Sequence, residues 1–223
     1  MDCSRAISIL LFLVFGFFSS PANAQINLKT GYSFSVLSTP ALHRVVTSFN
    51  QSQSYISRFH DLDWLHGFEA GLRLKGGVHA LELTYQGASK SFKATGLIPG
   101  SINKYTDNLR YSANSLALGY QLGNGTVGMG TDLLFQFYKV KYEEGLTKHS
   151  FSNMQHMTAF KFYLMVTFKG DTGIDFALQP FVILPSKAYD LRPLADILHT
   201  EAGTGEEKWI RYGLTISFYN GKK

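Results

Sequence analysis

The strongest constraint on this chain is an alternation of apolar and polar residues that recurs in eight segments of about 10 residues each. Successive side chains of a β-strand point to opposite faces, so the alternation predicts strands with one apolar and one polar face. The segments are Ile26 to Val36, Gly67 to Lys75, Ala80 to Gln86, Ser115 to Leu122, Val127 to Phe137, Ala159 to Lys169, Asp175 to Leu184 and Ile210 to Tyr219. About 10 residues is also the length at which a tilted strand crosses a bilayer.

The connections between these segments alternate strictly between short and long. Tight turns rich in glycine join the second segment to the third, the fourth to the fifth and the sixth to the seventh. The long connections are Ser38 to Leu65, Ser89 to Tyr111, Glu143 to Met157 and Ser186 to Trp209. Short turns on one side and long loops on the other are typical of outer-membrane barrels. We therefore predict an all-β fold, an eight-stranded antiparallel up-and-down transmembrane β-barrel, in residues 25–223.

The first 24 residues have the pattern of a cleaved signal peptide. Arg5 precedes the apolar run Ala6 to Phe18, and Ala22 and Ala24 form the small-residue motif that signal peptidase recognises, so we predict cleavage before Gln25. The apolar run is shorter than the roughly 20 residues that a membrane-spanning helix needs. The only cysteine, Cys3, would leave with this segment, so the mature chain is expected to contain no disulfide and no cysteine-ligated metal.

The charged residues of the strands all fall on the polar face. A charge that faces lipid at the bilayer midplane costs about 2–4 kcal/mol, so we expect these side chains to line the barrel interior. The predicted structural polar network consists of Glu69, Arg73, Lys75, Glu82, Asp132, Lys161, Asp175 and Arg211. An eight-stranded barrel is just wide enough for side chains to fill, so the sequence predicts ion pairs rather than an open pore.

Three finer expectations follow from individual residues. A turn at Gly76-Gly77 would place Arg73 opposite Ala80 and diagonal to Glu82, which predicts an Arg73–Glu82 contact. Pro180 falls within a strand of a barrel that has no free edge, so we predict a bulge or a local break of the seventh strand there. The expected aromatic girdles at the membrane interfaces comprise Tyr32, Tyr85, Tyr120, Tyr212, Trp209 and Phe218.

At this point the chain resembles the small outer-membrane barrels of Gram-negative bacteria, the class that includes outer membrane protein X and the membrane domain of outer membrane protein A. The resemblance covers the whole mature chain and includes the final strand, Trp209 to Tyr219, which is similar to the C-terminal signal that the barrel-assembly machinery reads. The family usually ends on an aromatic residue, whereas this chain continues through Asn220 to Lys223. The resemblance implies a location in the cell outer membrane and the barrel-assembly machinery as a partner during biogenesis.

The basic residues near the predicted loops suggest a lipid partner. The phosphates of lipopolysaccharide would attract such side chains by charge pairing. The candidate residues are Lys90, Lys93, Lys104, Lys139 and Lys141, with Arg110 and Lys148 nearby. The basic residues are scattered and no nucleic-acid-binding motif is present, so nucleic acid is not expected as a partner. We predict no cofactor and no metal site. The sequence does not indicate which ligand the loops bind.

We predict a non-enzymatic outer-membrane protein with a recognition or structural role, and two alternatives stay open. The first is a lipid A deacylase, since segment 149–153 resembles the His-x-Ser-Asn site of the deacylases of this barrel class. This chain has His149-Ser150-Phe151-Ser152-Asn153, with the spacing changed by one residue. A soluble lipocalin-like barrel would turn the apolar face inward to hold an apolar ligand. The lipocalin pattern includes an early Gly-x-Trp motif and a helix after the last strand, and neither feature is found in this sequence.

Overall fold

The computed structural model describes residues 25–171, 173–200 and 205–220. The β-strands are β1 (Gln25–Leu37), β2 (Tyr55–Ser57), β3 (Trp64–Gly76), β4 (His79–Leu97), β5 (Lys104–Gly123), β6 (Val127–Glu143), β7 (Ser150–Phe168), β8 (Ile174–Pro185), β9 (Tyr189–Asp190), β10 (Glu206–Glu207) and β11 (Arg211–Asn220). The helices are α1 (Pro40–Ser52) and α2 (Arg192–Ile197). The predicted signal peptide and its cleavage site lie outside these residues.

Eight of these strands form a closed antiparallel barrel within the described part of the chain. Around the barrel the order is β1, β3, β4, β5, β6, β7, β8 and β11, and β11 pairs with β1 to complete the ring. The short strand β2 adds to β4, while β9 and β10 form a separate two-stranded ladder. The predicted eight-stranded up-and-down barrel is therefore confirmed. None of the described helices is long and apolar enough to cross a membrane.

The two ends of the barrel differ, and we name them by their connections. The turn end carries the tight connections 77–78, 124–126 and 169–173, and the loop end carries the connections 38–63, 98–103, 144–149 and 186–210. Two of these four loops are much shorter than predicted, because β4 to β7 are 17 to 20 residues long. The expected loops Ser89 to Tyr111 and Glu143 to Met157 were wrong: most of their residues extend the strands.

The alternation reverses where these strands extend beyond the others, and this is why their length was missed. Nearer the turn end, apolar side chains such as Leu83 point outward, whereas in the extension Phe92 and Ala94 of β4 and Leu109 of β5 are buried inside. The outward positions of the extension carry polar residues such as Lys93. A search for strands with apolar outward faces therefore stops where the outward face becomes polar.

The outward face nearer the turn end forms a continuous ring that we name the apolar belt. Its exposed side chains include Ile26, Leu28, Phe68, Leu72, Leu83, Leu116, Leu118, Leu122, Met129, Phe135, Phe160, Phe162, Leu164, Phe176, Leu214, Ile216 and Phe218. All eight barrel strands contribute to it, and the acidic and basic side chains of the same height point inward. The lipocalin-like alternative required the opposite orientation and is contradicted.

The strand pairing tests two of the expectations, the register at the turn between β3 and β4 and the pairing around Pro180. The turn at the end of β3 is shifted by two residues relative to the prediction, so Arg73 lies directly opposite Glu82 rather than opposite Ala80. Gly77 takes a φ of +60°, a conformation that suits glycine in this turn. At Pro180 the expectation is met in one ladder only: the pairing of β7 with β8 omits Leu164 and Met165 and resumes in the same register, whereas the ladder of β8 with β11 continues with Leu214 opposite Pro180.

The orientation of the belt predicts how charge is tolerated along one strand. Leu118 lies on the outward face of β5 within the belt, and Asn108 lies on the same face of the same strand in the extension. Leu118→Arg should lower the free energy of unfolding in lipid vesicles by about 2–4 kcal/mol, because the charge faces hydrocarbon. Asn108→Arg, the matched control, should cost less than about 1 kcal/mol. Urea titrations of both refolded variants measure the difference, and equal costs would contradict the assigned membrane level.

Candidate functional site

The turn-end half of the interior contains a closed network of ionic side chains. Lys29 lies at its centre: its Nζ is 2.8 Å from Glu82 Oε2 and 3.1 Å from Glu69 Oε1. Lys161 Nζ lies 3.7 Å from Glu69 Oε2 and 3.8 Å from Asp132 Oδ2. Arg73 Nε lies 3.6 Å from Glu82 Oε1. Three cations thus face three carboxylates, so the charges of the network sum to zero.

Neutral polar groups complete this network. The Tyr219 hydroxyl donates to Glu82 Oε1 over 3.3 Å and accepts a bond of 2.9 Å from Gln179 Nε2. The Ser217 hydroxyl donates a hydrogen bond to the Glu69 carboxylate, and its oxygen lies 3.1 Å from Gln179 Oε1. The Arg73 guanidinium also lies 4.6 Å from the centre of the Tyr219 ring. Buried charges are tolerated when their remaining hydrogen-bonding positions are satisfied, and these neighbours supply part of that support: among the described residues, Arg73 Nε and Asp132 Oδ1 have no hydrogen-bond partner.

The loop-end half of the interior has the opposite character and is filled by what we name the apolar plug. Helix α1 turns Leu42, Val45, Val46 and Phe49 toward the inner faces of the extended strands, and α2 adds further buried side chains. The aromatic members of the plug pack around Trp209: Tyr189 stacks on it at 4.0 Å, and Tyr111 and Tyr138 meet it edge-on at 5.2 and 5.5 Å. Buried side chains thus occupy the interior at both levels: charged and polar groups in the turn-end half, and the apolar plug in the loop-end half.

Glu207 fastens the two parts of the plug to each other. The start of α1 has no side-chain cap of its own, and its backbone N–H groups at Ala41 and Leu42 donate to the Glu207 carboxylate over 2.7 and 3.3 Å. The same carboxylate accepts a bond of 2.9 Å from Trp209 Nε1. A carboxylate at a helix N-terminus satisfies unpaired N–H groups and opposes the helix dipole. One buried residue of the 186–210 loop thus holds both the helix of the 38–63 loop and the central tryptophan.

Asp107 forms a second fastening at the rim. Its carboxylate accepts hydrogen bonds from the hydroxyls of Tyr55 and Tyr142 and from the backbone N–H of Gly145. Tyr55 belongs to β2, whereas Asp107 lies on β5 and Gly145 in the 144–149 turn. Burial raises the pKa of Tyr55, and the hydrogen bond to Asp107 and the charge of that carboxylate raise it further. Burial and the Asp107 charge raise the pKa of Tyr142 in the same way.

These shifts predict the behaviour of the rim at alkaline pH. A tyrosine whose folded pKa is raised keeps its proton where the unfolded chain loses it, so its stabilising contribution is present below about pH 10 and falls as the pH rises further. Asp107→Asn should bring additional tyrosine ionisation into the range near pH 10, and adding Tyr55→Phe should remove part of it. Absorbance at 295 nm measures this titration, and identical curves for wild type and Asp107→Asn would contradict the assignment.

The outward face of the extended strands forms a polar and basic surface that we name the polar wall. It begins where the belt ends and carries the outward residues 89–97 of β4, 104–114 of β5, 139–143 of β6 and 150–156 of β7. Cross-strand pairing places Arg110 directly opposite Lys141, and Ser112 directly opposite Lys139. Lys141 bonds to Glu143 two residues along the same face.

A groove of about 620 Å³ lies where the polar wall meets the belt. Its loop-end side is formed by Arg110, Lys139 and Lys141, and its belt side by Tyr32 and Phe68. The groove is possible because several of the outward residues between these two sides are small, namely Gly87, Ser89 and Ser112. His66 and Asn114 complete its lining. A Cβ atom on Gly87 would lie 3.2 Å from the Phe68 ring and from Asn114 Oδ1, so the depression needs glycine or a local shift.

The structure distributes the predicted interior residues over three places. Glu69, Arg73, Glu82, Asp132 and Lys161 meet in the ionic network. Lys75 and Asp175 line the mouth at the turn end instead, where Asp175 accepts a bond from the Gly170 N–H. Arg211 is buried below the plug, and its Nε and Nη1 atoms have no hydrogen-bond partner among the described residues.

The five candidate basic residues are also divided. Lys139 and Lys141 line the groove, and Lys93 and Lys104 lie on the polar wall farther from the belt. Lys90 does not join them: its register neighbour is the buried Tyr111, and its ammonium lies 4.0 Å from the centre of the Trp64 ring. His149 and Ser152 are both exposed, and no hydrogen bond joins them in the part of the chain that the structure describes.

Several residues that organise the loop end were missed from the sequence. Trp209 was expected at a membrane interface but is buried in the plug, and the roles of Glu207 and Asp107 were not anticipated. One signal was available: Leu42, Val45, Val46 and Phe49 follow the spacing of an amphipathic helix. Among the described residues, no group of three or more His, Cys, Asp or Glu side chains is placed to hold a metal ion.

Comparisons with known proteins give a likeness of overall shape. No family model and no curated protein matches the sequence. The solved structure of Ail, the attachment invasion locus protein of Yersinia pestis, in complex with the heparin analogue sucrose octasulfate has a TM-score of 0.49 at 11% identity, over 88% of this chain and 97% of that one. Neisserial surface protein A has a TM-score of 0.47 at 8% identity, over 90% of this chain and 99% of that one. The closed eight-stranded barrel itself is established by the strand pairing of this chain.

Proposed function

We propose that this chain is a non-enzymatic β-barrel protein of the Gram-negative outer membrane, sealed to solutes, that presents its loop end at the cell surface. The observation that carries the proposal is the complete apolar belt around a closed barrel whose charged side chains point inward. A belt of this kind is stable only where hydrocarbon surrounds it, because in water it would be an exposed apolar surface far larger than soluble monomers carry.

The polarity of the two ends supports the orientation. Outer-membrane barrels place short turns toward the periplasm and longer connections outside. Here the loop end carries the plug, the extended strands and the polar wall, so recognition at the cell surface would involve these elements. The proposed partners are outer-membrane lipid and lipopolysaccharide, with the barrel-assembly machinery as a partner during biogenesis.

Single cysteines introduced at the two ends test the orientation. The only native cysteine, Cys3, can be replaced by serine, and Ile102 and Val78 are exposed turn residues at the loop end and the turn end. In intact cells a membrane-impermeant maleimide should label Ile102→Cys and leave Val78→Cys unlabelled until the outer membrane is permeabilised. The reverse pattern, or equal labelling of both in intact cells, would contradict the proposal.

The sealed interior makes a separate prediction. In planar bilayers the purified protein should produce no stepwise conductance, because the ionic network and the plug together fill the barrel. A variant in which residues 40–52 are replaced by a short glycine-serine linker lacks α1 but keeps the ionic network, so it should also produce no conductance steps. Stable conductance steps from the wild-type protein would show that the interior is open.

A further inference from the structure

We propose that the groove between the polar wall and the apolar belt binds the phosphorylated headgroup of a lipid A molecule of the outer leaflet, with Arg110 and Lys139 contacting a phosphate. This inference rests on the proposed function, because it requires that the polar wall begins at the outer surface of the membrane. It adds a specific site on the outside of the barrel for the lipopolysaccharide that is proposed above as a partner.

The position of the groove is the first argument. Its belt side, at Tyr32 and Phe68, is part of the ring of exposed apolar side chains, and its loop-end side consists of three basic side chains. A ligand that fills it must therefore be apolar on one side and anionic on the other. Lipid A, a phosphorylated and multiply acylated sugar, has this division, whereas a free phosphate ion would leave the apolar side unused.

The charge balance of the wall is the second argument. Arg110 faces Lys141 directly across two strands, an arrangement of like charges that destabilises a sheet when nothing offsets it. Glu143 is bonded to Lys141, and its charge also acts on Arg110. Arg110, Lys139 and Lys141 together with Glu143 leave a net charge of +2. A phosphate monoester carries about −1.5 to −2 at neutral pH, which matches this excess.

The chemistry of the basic groups is the third argument. A guanidinium presents a planar fork of donors that fits two phosphate oxygens, and an ammonium adds a compact charge from a flexible stem. Arg110 and Lys139 come from neighbouring strands that are paired in register, so the barrel fixes the distance between them. The small outward side chains of Ser89 and Ser112 leave the headgroup room to approach the wall and offer further hydroxyl groups.

Native mass spectrometry of the detergent-solubilised barrel tests the site. Wild type, Arg110→Gln/Lys139→Gln, and the matched control Lys93→Gln/Lys104→Gln are titrated with diphosphoryl lipid A. The control removes the same charge from the same wall, away from the groove. We expect at least tenfold weaker adduct formation in the groove variant and binding close to wild type in the control. Equal binding by all three proteins would overturn the proposal.

The choice of probe separates the ligand classes. Two other lipids serve as probes: dephosphorylated lipid A, and phosphatidylglycerol. Each should form adducts at least tenfold more weakly than diphosphoryl lipid A. Millimolar inorganic phosphate should not displace diphosphoryl lipid A. Equal retention of phosphatidylglycerol, or displacement by inorganic phosphate, would overturn the assignment to lipid A. The single variant Arg110→Lys keeps the positive charge and should retain part of the affinity for diphosphoryl lipid A.

Folding is read separately, so that the two proposals fail in different ways. Each variant is first checked for a shift in gel mobility between unheated and boiled samples. If all variants fold and insert into vesicles but bind lipid A equally, only the groove assignment is wrong. If the wild-type protein itself does not insert into vesicles, the proposed membrane location is wrong, and the groove assignment fails with it.

Discussion

Replacing Lys29 with methionine should lower the free energy of unfolding of the barrel by about 3–5 kcal/mol, the range found when one member of a buried ion pair is removed. Lys29 is 1% exposed and lies within 3.1 Å of two carboxylates. Its loss leaves Arg73 and Lys161 to balance three acidic side chains that are all buried. Urea unfolding in lipid vesicles, followed by tryptophan fluorescence and gel mobility, measures the change.

Two further variants separate charge balance from loss of packing. The double variant Lys29→Met/Glu82→Gln restores the neutrality of the network. Its loss of unfolding free energy should be clearly smaller than the sum of the losses in the two single variants, and a double-mutant cycle quantifies this coupling. Lys104→Met, at an exposed position near the hairpin tip, changes the same residue type and should alter stability by less than about 0.5 kcal/mol. A Lys29→Met effect as small as that of Lys104→Met would show that the network does not stabilise the barrel.

Replacing Glu207 with alanine should loosen the plug without unfolding the barrel. The variant leaves the Ala41 and Leu42 N–H groups and Trp209 Nε1 without their acceptor, at a cost of about 2 kcal/mol. Amide hydrogen exchange in residues 41–49 should then become roughly thirtyfold faster, while exchange in the barrel strands stays unchanged. Exchange measured by mass spectrometry on the protein in micelles gives both values.

Glu206 provides the matched control for this prediction. It precedes Glu207 in β10 but its side chain is exposed, so Glu206→Ala removes the same charge from the same strand without touching the helix. We expect exchange in α1 close to wild type for this variant. If Glu206→Ala and Glu207→Ala accelerate exchange equally, the effect comes from the net charge of the loop and the assigned capping role is wrong.

The architecture could be predicted because the apolar belt follows a simple pattern. At belt level the outward face is predominantly apolar and the charged side chains point inward, so alternation in segments such as Val127 to Phe137 is sufficient to find the strands and their faces. The contact between Arg73 and Glu82 was anticipated as well, although the register at the Gly77 turn was shifted by two residues. A turn with two adjacent glycines permits more than one register, and the sequence alone does not choose between them.

The loop end could not be predicted in the same way because its pattern reverses. Beyond the belt, the outward face is polar and the apolar plug fills the interior, so Phe92 and Leu109 point inward while Lys93 and Arg110 point outward. The groove is lined by residues of five neighbouring strands, β1, β3, β4, β5 and β6, and Glu207 reaches residues about 165 positions away in the chain. Such contacts between distant segments leave no local signal in a single sequence.

The most direct test of the account is the location and mobility of the protein in cell fractions. The membranes are separated by density, and each fraction is run on a detergent gel with and without boiling. The account predicts that the protein lies in the outer-membrane fraction and that its unheated band migrates differently from the boiled one, as a closed barrel that resists detergent would. Recovery from the soluble periplasmic fraction with no change in mobility on heating would contradict it.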